Sequence, residues 1–154
     1  MREAVIPNLG YRDARGAIGF LVEAFGFIEE VVHDGDDPAM IYHAALRWPA
    51  GGRIFVHSTG PGESSVANLT EKARQDGGYP AFTVHLDVDD PDPIYERALS
   101  VGAEVVRPLQ DSAQGFGTRG FILRDPEGLY WSFGTPLPPL AKDEAGTWRP
   151  VSGS

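Results

Sequence analysis

The chain has 154 residues, a formal net charge of −9 and no cysteine, which excludes disulfide frameworks, zinc–thiolate sites, iron–sulfur clusters and cysteine nucleophiles. A pI of about 4.8 leaves no basic surface to neutralise phosphates, so nucleic acid is not an expected partner; the same acidity suits cationic small ligands. A hydrophobic fraction of 42% with 23% charged residues fits one globular domain or two small fused modules, and no apolar run approaches a signal peptide or membrane span, so a cytoplasmic location is the expectation.

Residues 4–9 form a short apolar strand candidate. Asp13 follows as an N-cap, able to accept from an orphan helical N–H. Ala17, Ile18, Leu21, Val22 and Phe25 then fall on one helical face, and Gly26 ends the helix where a positive φ costs little. Residues 27–32, 40–48 and 53–57 read as three strands, separated by an Asp/Gly/Pro turn and by Pro49-Ala50-Gly51-Gly52. The first half is therefore βαβββ.

The order then repeats. Residues 81–88 read as a strand, and Asp90 caps a helix that starts at Pro91, where a missing N–H is harmless. Ile94, Ala98, Leu99 and Val101 give that helix its apolar face, and Gly102 closes it. Residues 104–107, 116–124 and 129–134 supply three more strands, with Asp125-Pro126-Glu127-Gly128 as the last turn. Asp13 aligns with Asp89, and Gly26 with Gly102, both at an offset of 76 (89 − 13, 102 − 26). The expected division is a first module at 1–57, a linker at 58–79 with a short helix around 66–75, a second module at 80–135 and an extended, proline-rich tail at 136–154.

Paired βαβββ modules, a helix ending in Phe25-Gly26-Phe27, and a DPEG turn before an aromatic last strand resemble the vicinal oxygen chelate superfamily. That group includes glyoxalase I, bleomycin-resistance proteins and extradiol dioxygenases. The resemblance implies an α+β fold, with two tandem βαβββ modules forming curled mixed sheets around a shared cavity, and a homodimer. In metal-dependent members it implies one ligand on the first and one on the last strand of each module. The corresponding positions here are Ile6, Phe55 (or His57 with a two-residue slip), Thr83 (or His85 with the same slip) and Ser132. A divalent ion needs three or four donors; Ile6 and Phe55 offer none and Ser132 no carboxylate, so no metal or other cofactor is expected.

Period-two alternation puts Phe55 on the face of His57, Thr83 on that of His85, and Tyr130 on that of Ser132, with Trp131 and Phe133 opposite. His57 and His85 are the candidate acid–base pair, since imidazole titrates near neutrality. Trp48, Phe55 and Tyr130 are candidate walls for a planar ligand. Arg119 shares a strand face with Phe121 and Leu123, a place for a guanidinium that is paired or touches ligand. His33 and His43 read as surface or structural residues. Residues 115–120 match G-x-G-x-x-G but continue into a strand rather than a helix, which argues against a dinucleotide site. Two functions follow as expectations. One is a metal-independent, bleomycin-resistance-like binder of a small organic ligand. The other is a lyase, isomerase or dioxygenase that uses a displaced metal or the His57/His85 pair.

Overall fold

The computed structural model describes residues 5–60, 65–78, 82–112 and 117–151. The first module comprises β1 (Asn8–Tyr11), α1 (Ala14–Phe20), β2 (Ile28–Asp34), β3 (Ile41–Arg47) and β4 (Arg53–Ser58). After α2 (Ser65–Gln75), the second comprises β5 (Thr83–Asp87), α3 (Pro91–Ser100), β6 (Glu104–Asp111), β7 (Arg119–Arg124) and β8 (Tyr130–Gly134). Each module builds a four-stranded mixed sheet in the same order, β1-β4-β3-β2 and β5-β8-β7-β6. In each sheet the first and last strands pair in parallel and the remaining pairs are antiparallel. The expected strand starts at residues 4, 81 and 116 lie outside the described residues.

The duplication extends to register, with one correction to its offset. Asn8 pairs with Phe55, and His85 with Ser132, an offset of 77 on both strands (85 − 8, 132 − 55). The observed N-caps keep that offset: the Asp13 carboxylate accepts from Gly16 N and the Asp90 carboxylate from Asp92 N, so Asp13 matches Asp90 rather than Asp89. The helix stops at Gly26 and Gly102 remain 76 apart. The difference is one residue, and it coincides with a π-helical turn at Leu21–Phe25 that continues α1. Gly26 closes that turn at φ 93°, with its N–H shared between the carbonyls of Leu21 and Val22. A wide turn absorbs an inserted residue without unwinding the helix.

One apolar cluster joins the helix-facing sides of both sheets. Phe25 contacts Trp131 and Phe133 with ring centroids 5.5 and 4.8 Å apart, and Phe27 packs on Trp48 and Trp131. Trp48 is therefore core, not ligand wall. It is buried, and its indole N–H donates across the modules to the Asp87 carbonyl at 3.0 Å. An indole fills large core space when its N–H finds a partner, and aromatic composition alone does not separate that role from a pocket.

The DPEG turn is a second join between the modules. Asp125 is only 4% exposed. Its Oδ2 accepts from the Tyr11 hydroxyl at 2.6 Å and the Trp131 indole at 3.1 Å, and its Oδ1 accepts from the N–H groups of Glu127 and Leu129. Glu127 in turn accepts from the N–H groups of Arg12 and Asp13, at the entry to α1. One four-residue turn thus closes the second sheet and holds the first module's helix.

The tail corrects the expectation of an extended segment. β9 (Leu140–Lys142) and β10 (Trp148–Pro150) form an antiparallel hairpin. Asp143 accepts from Ala145 and Thr147 in its turn, and Trp148 stacks under the Lys142 ammonium while staying largely exposed. No helix among the described residues is long and apolar enough to cross a membrane.

Candidate functional site

The second sheet carries a cleft of about 650 Å³, within the range typical of small-molecule sites. Two adjacent cross-strand rows build its floor. In one, His85 pairs with Ser132, Ser132 with Ile122 and Ile122 with Arg107. In the next, two residues along, Asp87 pairs with Gly134, Gly134 with Gly120 and Gly120 with Gln110. Directly paired residues point to the same side of a sheet, so both rows face the cleft. The Gly134–Gly120 pair is buried in that floor, with the His85 ring 3.4 Å from where a Gly134 Cβ would sit. A Cβ added at Gly120 would fall on the Phe133 carbonyl, which is backbone and cannot swing away. Gly120→Ala is expected to cost about 1–3 kcal/mol through overpacking, read as a lower urea midpoint; an unchanged midpoint would show that β7 and β8 can separate freely.

His85 makes two polar contacts in the cleft. Its Nδ1 lies 2.9 Å from Ser132 Oγ and its Nε2 lies 3.4 Å from Asp87 Oδ1. With Nε2–H directed at the carboxylate, Nδ1 accepts from the serine hydroxyl, a chain able to hold a ligand hydroxyl or relay a proton. Arg119 forms one wall. Its guanidinium grips Asp92 bidentately at 2.8 and 3.1 Å and reaches Asp111 at 3.1 Å. The hydrogen bond from Arg119 holds the Asp92 carboxyl below its ordinary range. Arg119 is thus a paired strut of the wall rather than a free anchor.

Among the sequence candidates, His85, Arg119 and Ser132 line this cleft, and Thr83, Tyr130, Phe55, His57 and Trp48 do not. Thr83 and Tyr130 pair with each other two residues further along the same strands, and Arg124 covers the Tyr130 ring. Phe55 and His57 lie on the first sheet. There His57 has both ring nitrogens occupied, Nδ1 by the Tyr42 carbonyl at 2.7 Å and Nε2 by the Asn8 side-chain amide at 3.0 Å.

His43, expected as a surface or structural residue, packs between the His33, His57 and Phe55 rings. Burial first, then the charges of His57 and His33, holds its imidazole below the ordinary 6.5. A depressed histidine favours the neutral form in the folded state, so the unfolded chain takes the proton first. Stability is then full above about pH 6.5 and falls as pH drops through that value toward the depressed folded pKa. Glu30, Glu71 and Asp92 are shifted down and lose their contribution only as pH falls below about 4–4.5. The decline in melting temperature between pH 7.5 and 5.5 should therefore be shallower in His43→Gln. An identical slope in both proteins would assign the loss to other groups.

The donor set does not fit a divalent ion. Ile6 precedes β1, and the residue that meets His57 is Asn8, because pairing to β4 starts the strand there. Phe55, Thr83 and Ser132 provide no imidazole or carboxylate, and no group of three or more His, Asp or Glu among the described residues is placed to hold a metal. The residues that sequence reasoning missed are Asp87, Gln110 and Arg107. The first two follow from alternation once the register is known. Arg107 does not: a register shift between Val105 and Arg107 inverts the alternation, placing Val105 opposite core-facing Leu123 but Arg107 opposite Ile122.

Comparison with known proteins agrees with this architecture. A protein from Mycobacterium bovis, itself uncharacterised, is 38% identical over 141 residues, covering 92% of this chain and 88% of its own length. The crystal structure of TioX from Micromonospora sp. ML1 superposes with a TM-score of 0.64 at 33% identity, over 87% of this chain and 98% of that one. FosX from Listeria monocytogenes, a genomically encoded fosfomycin resistance protein, matches with a TM-score of 0.60 over 88% of this chain and 94% of its own; at 14% identity it speaks for the fold alone. The family model for the glyoxalase-like domain matches residues 28–132. With its doubled βαβββ sheets and that match across most of its length, the chain belongs to the glyoxalase-like domain family, on a vicinal oxygen chelate fold.

Proposed function

We propose that this protein is a cytoplasmic, metal-independent binder of a small organic molecule, held in the cleft of the second sheet. The observation that carries the reading is the His85–Ser132 hydrogen-bonding pair facing a cleft of about 650 Å³. It suits a small organic body with one polar anchor. The cleft does not share the chain's acidic excess, since Arg107 and Arg119 balance Asp87 and Asp111. A cationic, antibiotic-like ligand is therefore not selected by local charge.

The working unit in this reading is a homodimer of the 16.7 kDa chain. Support comes from the first sheet, whose face bearing His43, Phe55 and His57 does not line the cleft; a second copy could set it over the open side. Light scattering at twice the chain mass supports this, and a monomer at micromolar concentration excludes it.

A thermal-shift screen tests the binding itself, because a ligand that binds only the folded state raises the melting temperature by mass action. Flat aromatic compounds should stabilise the wild type, lose their effect in His85→Ala, and outperform zinc, nickel and manganese salts. Stabilisation by metals alone would overturn the reading. A second reading, a lyase- or isomerase-type enzyme, draws on the Ser132–His85–Asp87 chain, in which His85 alone would move the proton. His57, with both ring nitrogens engaged and its place on the other sheet, is not its partner. Turnover that persists after exhaustive chelation and disappears in His85→Ala would favour the enzyme.

A further inference from the structure

We infer that Arg107 is an acid-recognising subsite, so that the cleft takes a flat organic acid: a monoanionic aromatic carboxylate or its phosphonate equivalent. The inference rests on the binding reading above and names the chemistry of its ligand. Ten arginines lie among the described residues, and nine have a carboxylate or carbonyl partner. Arg107 is the exception, without any such partner among the described residues. In a chain with 22 acidic against 13 basic side chains, a guanidinium facing a cleft would ordinarily find a carboxylate. This one is exposed, lines the cleft and has none.

Its position is specifically built. Register shifts lie on both sides of it, between Val105 and Arg107 and again between Arg107 and Gln110, so its pairing with Ile122 stands alone. Bulges of this kind re-aim side chains at the rims of sites. Without the first shift, Arg107 would share the helix-facing side with Val105. With it, Arg107 ends the row that begins at His85, three interstrand steps or about 14 Å away. The Gly134–Gly120 floor lies alongside that row. A guanidinium fork at one end and a hydroxyl-binding pair at the other describe a body with an acid group on one edge and a polar group on the opposite edge. The nearer carboxylate, Asp111, is neutralised by Arg119, and Asp87 stands at the far end beside His85.

The probe is 6-hydroxy-2-naphthoate, with 6-hydroxy-2-naphthamide and (6-hydroxy-2-naphthyl)methylamine as its neutral and cationic counterparts, titrated by calorimetry against wild type and Arg107→Gln. A bidentate, charge-assisted contact predicts that the acid binds wild type about tenfold tighter than the amide. Arg107→Gln should abolish that preference while leaving amide affinity within about twofold, since Arg107 has no carboxylate or carbonyl partner among the described residues. Arg107→Lys should retain only part of it, because a point charge lacks the fork. Equal or tighter binding of the amide or the amine by wild type overturns the acid subsite and leaves the binding reading standing. An acid preference that survives in Arg107→Gln does the same. If none of the three compounds binds wild type at millimolar concentration, the binding reading falls and the subsite with it.

Discussion

Asp125→Ala is expected to lower the unfolding free energy by about 3 kcal/mol or more, since each buried donor left unpaired costs about 1–3 kcal/mol. The carboxylate is the common acceptor for the Tyr11 hydroxyl, the Trp131 indole and two backbone N–H groups of its own turn. Tyr11, Leu129 and Trp131 are fully buried, so these donors have no direct access to bulk water. For a domain of this size the melting temperature should fall by roughly 10 °C. Asp125→Asn separates the contributions. Its amide oxygen still serves the backbone donors, while its NH₂ meets the two side-chain donors. The tyrosine hydroxyl can rotate and accept, but an indole N–H cannot, so an intermediate loss is expected. Tyr11→Phe removes the hydroxyl bonded to Asp125 and should cost about 1 kcal/mol or more. A loss below 1 kcal/mol in Asp125→Ala, measured by urea unfolding, would mean that water replaces the carboxylate and that the DPEG turn is not a structural join.

That network shows what was legible in the sequence. Alternation placed Trp131 and Ser132 on opposite faces of one strand, and the structure has Trp131 in the core and Ser132 in the cleft. The doubled βαβββ order, both glycine helix stops and the helix in the linker were legible for the same reason: each is set by local chemistry within a few residues. The misreadings share a different cause. Composition alone makes Trp48 a pocket wall, because its burial depends on Phe27 and on the Asp87 carbonyl of the other module. The glycine spacing aligns Asp89 with Asp13, because a π-helical turn adds a residue that no propensity announces. The side on which Arg107 faces depends on bulges, which are set by pairing with β7.

The two modules have kept one register and diverged in what they display. Asn8 and Phe55 occupy in the first sheet the pairing that His85 and Ser132 occupy in the second. On the first, His57 is locked by two hydrogen bonds, and burial holds the His43 imidazole below its ordinary range. On the second, His85 is half exposed and bonded only through its partners in the cleft. In the proposed reading, a single duplicated scaffold therefore uses one face for packing and one for a ligand. That asymmetry explains why side chains on those faces can vary without loss of the fold: the core lies on the opposite side of both sheets.

Trp131→Ala tests that separation of core from cleft. The side chain is fully buried, contacts Phe25 and Phe27 and donates to Asp125, so truncation should cost about 3–5 kcal/mol. Trp131→Phe keeps most of the packing area and gives up the N–H, and should cost about 1–2 kcal/mol. Because the indole points away from Ser132 and His85, Trp131→Phe should bind flat aromatic probes as the wild type does, whereas Ser132→Ala should leave stability nearly unchanged and weaken them. Trp131→Phe should remove one of two buried, blue-shifted emissions, leaving that of Trp48 and the red-shifted contribution of the exposed Trp148. If Trp131→Phe weakened probe binding at full stability, the indole would belong to the cleft, and the assignment of faces on β8 would be wrong.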